Sequence, residues 1–247
     1  MVAGRFFRYV LRTTDMKVAR AFYRDVLGGL HWDCELCITP LPERAAAQGA
    51  PPHWLGHLSV NDPEEMAGQM TSLGGQRLGP AQAGTGGSVH VVVRDPFGAI
   101  VAVNSGARNA EAGGDAMGSQ QGLVAWHLHH SQDHERSFAW YAGLFGWRAT
   151  EVLDLGPEMG CHQQFAWEQS GPSVGSMTKL ARLPHIHSQW LFFFRVPDIE
   201  SSLARVRAHG GTVVGTTQTS TGDLVAPCED PQGGAFGLYQ VARENKF

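Results

Sequence analysis

The densest group of side chains able to do acid–base or metal chemistry in this sequence is Trp126-His127-Leu128-His129-His130. Neutral imidazoles bind divalent metals and exchange protons near neutral pH. The segment also has the residue types of a β-strand, whose side chains alternate between faces. If Trp126 looks into a pocket, so do Leu128 and His130, while His127 and His129 look toward the packing helices. His127 and His129 therefore read as packed, hydrogen-bonded residues. His130, at the strand end on the pocket side, reads as a metal ligand, a general base or, most simply, a solvated loop residue. On another strand the same alternation puts Leu55, His57 and Ser59 on one face, which makes His57 a pocket-lining candidate. His185 and His187 flank Ile186 after Pro184, and an exposed loop is the plainer reading of that pair.

Other constellations carry less. Cys34-Glu-Leu-Cys37 spells C-x-x-C, but no second pair follows, so reduced, partly buried thiols are expected. Cys228 has no assignable base. Asp95 and Asp230 sit in Asp-Pro-x-Gly segments, where aspartate is a turn former before it is a catalytic carboxylate. Nucleophile-elbow, phosphate-loop and zinc-protease motifs do not occur. A formal charge of −4 with no basic run argues against nucleic acid as a partner. No apolar run approaches the roughly 20 residues of a membrane span, and Met1 to Arg12 lacks a secretory signal's apolar core. The expected location is cytoplasmic, with no membrane partner.

The elements that must position these residues follow one grammar, stated four times. A β-rich strand leads to an Asp that can cap a helix, an apolar stripe follows at helical spacing, glycine ends the helix, and more strands come after it. Phe6 to Thr13 is the first strand, and Asp15 caps a helix buried through Val18, Ala19, Phe22, Tyr23, Val26 and Leu27. Asp62-Pro63 starts the second helix, Asp133 the third and Asp198 the fourth. The chain repeats itself: Asp15, Tyr23 and Gly28 recur as Asp133, Tyr141 and Gly146 at an offset of 118. Asp62, Gly74-Gly75 and Asp95-Pro96-Phe97-Gly98 recur as Asp198, Gly210-Gly211 and Asp230-Pro231-Gln232-Gly233 at 136 and then 135. Such self-similarity implies duplicated units. Two modules are expected at 1–105 and 122–247, joined by a Gly- and Ala-rich linker at 106–121. Between the first helix and the next opening strand the first module has about 25 residues and the second about 43. The first sheet should therefore be shorter by a hairpin.

These residues resemble the glyoxalase/bleomycin-resistance/dioxygenase, or vicinal oxygen chelate, superfamily. The resemblance rests on Thr14-Asp15, Phe22-Tyr23, Leu27-Gly28, Asp133, Trp140-Tyr141, Phe145-Gly146-Trp147 and the two Gly-Gly and Asp-Pro-x-Gly tails. It implies an α+β fold of paired βαβββ units forming curled mixed sheets. In metal-using members, it also implies a ligand seven residues before each helix-capping Asp and a Glu seven residues after the Asp of Asp-Pro-x-Gly. Those positions here are Arg8, Leu55, Trp126, Leu191, Ala102 and Gly237. None is an imidazole or carboxylate, so a cation there would lack charge compensation. No metal or other cofactor is expected at the family's positions; a relocated divalent ion on His130 or His57 stays open.

The same alternation gives a lining of Trp126, His130, Phe193, Arg195, Tyr239 and His57, apolar and aromatic with a few polar groups, as small-molecule sites are. Trp126 and Phe193 could stack on a flat ligand, and Arg195 could pair with an anion. Plain core filling is an equal reading of the two aromatics. The leading expectation is a monomer or homodimer that binds a small apolar or aromatic molecule without the family's metal. The rivals are a lyase, isomerase or oxygenase working through a relocated metal or His130 as acid/base, and a scaffold whose cups are filled by side chains.

Overall fold

The computed structural model describes residues 4–28, 36–106, 123–219 and 221–242. The expected linker, apart from Gly106, and Cys34 lie outside these residues. The elements in chain order are β1 (Phe6–Thr13), α1 (Met16–Leu27), β2 (Leu36–Pro40), α2 (Glu43–Ala47), β3 (His53–Ser59), α3 (Pro63–Ser72), β4 (Gln76–Arg77), β5 (Gln82–Ala83), β6 (Val89–Arg94) and β7 (Ile100–Asn104). They continue with β8 (Val124–His130), α4 (His134–Phe145), β9 (Arg148–Asp154), α5 (Gly156–Met159), β10 (Cys161–Ala166), β11 (Gly175–Thr178), β12 (Gln189–Arg195), α6 (Ile199–Ala208), β13 (Thr212–Val213), β14 (Thr217–Gln218), β15 (Leu224–Glu229) and β16 (Ala235–Gln240). The strands fall in two open mixed sheets, seven strands from β1–β7 and nine from β8–β16. The first sheet is the shorter one, as the spacing predicts: β9 and β10 form an antiparallel pair after α4, where only β2 is described after α1.

All four helices of the repeat begin as the sequence dictates. Asp15 accepts from the backbone N–H groups of Lys17 and Val18, Asp62 from Glu64 and Glu65, Asp133 from Arg136, and Asp198 from Ser201. Each cap satisfies donors that the first helical turn leaves open.

The described residues pack as two compact units. The first comprises 4–9, 55–106 and 127–190, and the second 10–28, 36–54, 123–126, 191–219 and 221–242. In the first unit β3 runs parallel to β7, and β7 antiparallel to β6. In the same unit β8 runs parallel to β11, and β11 antiparallel to β10. In the second, β12 runs parallel to β16 and β16 antiparallel to β15.

Each unit is centred on one copy of the same buried relay. In the first, Trp190 Nε1 donates to Tyr141 Oη at 2.9 Å, and Tyr141 donates to Asp95 Oδ2 at 2.9 Å. In the second, Trp54 Nε1 donates to Tyr23 Oη at 3.0 Å, and Tyr23 donates to Asp230 Oδ2 at 3.0 Å. The other oxygen of each aspartate closes its own turn, accepting from Phe97 and Ala99 or from Gln232 and Gly234. Burying a carboxylate requires that its lone pairs be filled, and turn and relay together do this. Asp95 and Asp230 are thus turn formers that also anchor a helix. Gln232 adds a clamp on α1, accepting from Thr14 Oγ1 and the Asp15 N–H and donating to the Asp15 carbonyl.

Candidate functional site

The positions at which the resemblance implies metal ligands are occupied by residues that cannot ligate. Leu55 and Ala102 are fully buried and form one apolar cluster with Val92, against which Leu78 and Ile100 pack. At the other end of the sequence, Gly237 pairs with Phe193 across β12 and β16. A Cβ at 237 would come closer to a Phe193 ring carbon than any real contact. The place where a metal-binding carboxylate would stand is thus covered by an aromatic face. The second setting supplies no anionic or imidazole donor, and the first only His57, the cross-strand partner of Ala102; among the described residues no group of three or more His, Cys, Asp or Glu is placed to hold an ion. The residues present do not fit the family's metal.

Beside Phe193, the register of β12 and β16 brings together two of the expected lining residues, Arg195 and Tyr239. Phe193 is buried, while Trp126, Arg195 and Tyr239 are each half-buried. Arg195 and Tyr239 are cross-strand partners, one register step beyond Phe193 and Gly237. Tyr239 donates to Asp223 Oδ2 at 2.7 Å. Burial, then this bond and the carboxylate charge, push the Tyr239 phenol above its ordinary range. Burial alone would raise the Asp223 carboxyl, but hydrogen bonds from Thr221, the Ala242 N–H and Tyr239, with the charge of Arg195, hold it below its ordinary value. Arg195 therefore faces a carboxylate of its own chain, which reduces its pull on an outside anion.

His57 lies in the first unit, buried on β3. Asn104 Nδ2 donates to His57 Nδ1 at 3.0 Å, and Gly106 N–H donates to Asn104 Oδ1 at 2.7 Å. With Nδ1 accepting, the His57 proton sits on Nε2. The ring of His90, on β6 beyond β7, lies 5.2 Å from that of His57. A groove of about 510 Å³ opens nearby between Asn61–Glu64 and Gly86–Val89, and none of the expected lining residues borders it.

The five-residue cluster separates by face. His127 bonds to Tyr9 Oη at 2.7 Å and to the Val174 carbonyl at 2.8 Å. His129 Nε2 lies 3.1 Å from Asp95 Oδ2, within the relay around Tyr141. Both are packed on the helix side. Leu128 and His130 point to the opposite face. His130 differs from the plainest sequence expectation: it is the last residue of β8 and only 7% exposed, not a solvated loop residue. Its cross-strand partner is Thr178 on β11, whose partner on β10 is His162. Burial, then the neighbouring His129 and His162, lower the His130 pKa to about 3. Burial also lowers His162 to about 4, against the raising effect of the Met159 carbonyl. His162 was not legible as a site residue because it stands alone in sequence, and only the register of β10 brings it level with His130.

Residues 129–238 match the sequence model of the Glyoxalase/Bleomycin resistance protein/Dioxygenase superfamily. The chain is 24% identical over 253 aligned residues to "Putative glyoxylase CFP32" of Mycobacterium tuberculosis, covering 94% of this chain and 93% of that one. It is 29% identical over 133 residues to the anthracycline biosynthesis protein DnrV of Streptomyces peucetius, covering 48% of this chain and 47% of that protein. Its fold is similar to that of the 2,3-dioxygenase LapB from Pseudomonas sp. KL28, with a TM-score of 0.61 at 13% identity over 98% of this chain and 94% of that one. No helix among the described residues is long and apolar enough to cross a membrane. Residues 129–238 thus resemble the Glyoxalase/Bleomycin resistance protein/Dioxygenase superfamily in sequence, in a chain whose fold follows that of LapB along its length.

Proposed function

We propose that this protein binds a small, flat, apolar or aromatic organic molecule on the β12–β16 face of its second compact unit, without a metal at the family's positions. The observation that carries the reading is the ring of Phe193 lying over Gly237, where a ligating carboxylate would otherwise project. Half-buried Arg195 and Tyr239 give that face an aromatic and polar rim. Because Asp223 already balances Arg195, the favoured ligand is neutral or carries its charge away from the ring. The name of the partial relative DnrV, an anthracycline biosynthesis protein, supports a polycyclic aromatic class. The rival lyase, isomerase or oxygenase reading draws on the names of CFP32 and LapB, and would need a metal or an acid/base group away from the family's positions.

Metal analysis of the purified protein and calorimetric titration with 1-naphthol and 1-naphthoic acid test the proposal together. The expected result is no stoichiometric transition metal, with 1-naphthol binding at least as tightly as the acid and weakened about tenfold or more by Tyr239→Ala. A stoichiometric metal lost on His57→Ala or His130→Ala would overturn it, as would failure of both aromatics to bind.

A further inference from the structure

In the first compact unit, the sheet face opposite α4 carries a row of buried polar side chains. His162, Thr178 and His130 are successive cross-strand partners on β10, β11 and β8, so all three leave the same face. The two histidine backbones are separated by two strand spacings of about 4.8 Å each. Imidazoles on the flanking strands can therefore lean toward each other above Thr178. His130 and His162 are each 7% exposed, and Thr178 is 0% exposed. Both ring nitrogens of His130 and Nε2 of His162 are buried without a hydrogen-bond partner. Nδ1 of His162 has a long approach of 3.4 Å to Ser176 Oγ, and the Met159 carbonyl also acts on this ring.

Buried polar atoms left open cost free energy, and folded proteins nearly always fill them. A divalent cation is a poor occupant: the row has no carboxylate, and its charge would stay uncompensated in a dry site. A neutral imidazole instead offers one N–H donor and one bare nitrogen acceptor. A hydroxyl both donates and accepts, so one oxygen between the rings satisfies a nitrogen on each. Burial keeps both rings in the neutral form this needs. We propose that His130 and His162 form a two-imidazole clamp for the hydroxyl of a neutral alcohol or phenol. The clamp uses residues and a compact unit different from those of the aromatic face, and does not depend on it.

Long-range ¹⁵N correlation spectra of the full chain, labelled at histidine, test the clamp with phenol as probe and toluene as the matched molecule without a hydroxyl. Phenol should shift the His130 and His162 ring nitrogens together and saturably, and toluene should not. His130→Phe should weaken phenol binding at least tenfold, and His130→Gln, which keeps a donor and an acceptor, should recover part of that loss. His162→Phe is the parallel variant if His130→Phe does not fold. Equal responses to phenol and toluene would overturn the clamp, and so would silence toward both in the folded protein, which would leave water as the partner of these imidazoles.

Discussion

Gly237 is defined by what it lacks. Its backbone approaches the Phe193 ring so closely that any Cβ would overlap ring carbons, and an aromatic side chain covering a cross-strand glycine is a recurrent way to pin register. Gly237→Ala should therefore force Phe193 from its position at a cost of about 1–3 kcal/mol, the usual range for overpacking. Urea unfolding would measure it, and Phe193→Leu in the same background should return part of the loss. An unchanged midpoint in Gly237→Ala would remove the ring from its assigned place. At this scale the sequence was partly readable. Alternation along a strand put His130 and His127 on opposite faces, but it carries no information on depth. Nor could it show that Asp223 meets Tyr239, because 16 residues and a turn separate them.

Among the elements, the two relays decide how helices are held to sheets. The capping aspartates, glycine stops and Asp-Pro-x-Gly turns are local signals, and all were legible. The relay contacts were not, since Tyr23 and Asp230 lie 207 residues apart and Tyr141 and Asp95 lie 46 apart. The repeat marks these residues as equivalent without saying which copy bonds to which. The copies also differ chemically. Asp95 Oδ2 receives His129 as well as Tyr141, whereas the residue 118 positions before His129 is Leu11. Removing the tyrosine hydroxyl should therefore cost more in the copy without a histidine. Tyr23→Phe is expected to destabilise by about 1–3 kcal/mol, the range for stranding a buried polar partner, and Tyr141→Phe by less. Denaturant midpoints of the two variants check the order, and the reverse order would mean that His129 does not share the load of Asp95.

For the molecule as a whole, buried neutral histidines tie stability to pH. His127 and His162 are lowered to about 4 and His130 to about 3, in each case chiefly by burial. In the unfolded chain the same groups titrate near 6.5. Between those values the unfolded state binds protons that the folded state refuses, so stability is full above about pH 6.5 and falls as pH drops toward the folded values. Each histidine adds a slope of at most about 1.4 kcal/mol per pH unit. Asp230 works in the opposite direction, because burial holds its carboxyl above the usual range. It is one group against five, since burial lowers His53 and His134 as well, and stability of about 5–15 kcal/mol is typical for a folded domain. The melting temperature should therefore fall clearly between pH 7 and pH 5 at constant ionic strength, before most carboxylates titrate. His130→Phe removes one of these slopes without adding a charge, so its melting temperature should depend less on pH than the parent's across that window. Parallel curves for parent and variant would mean that His130 is protonated in the folded protein, and would remove the neutral ring that the clamp requires.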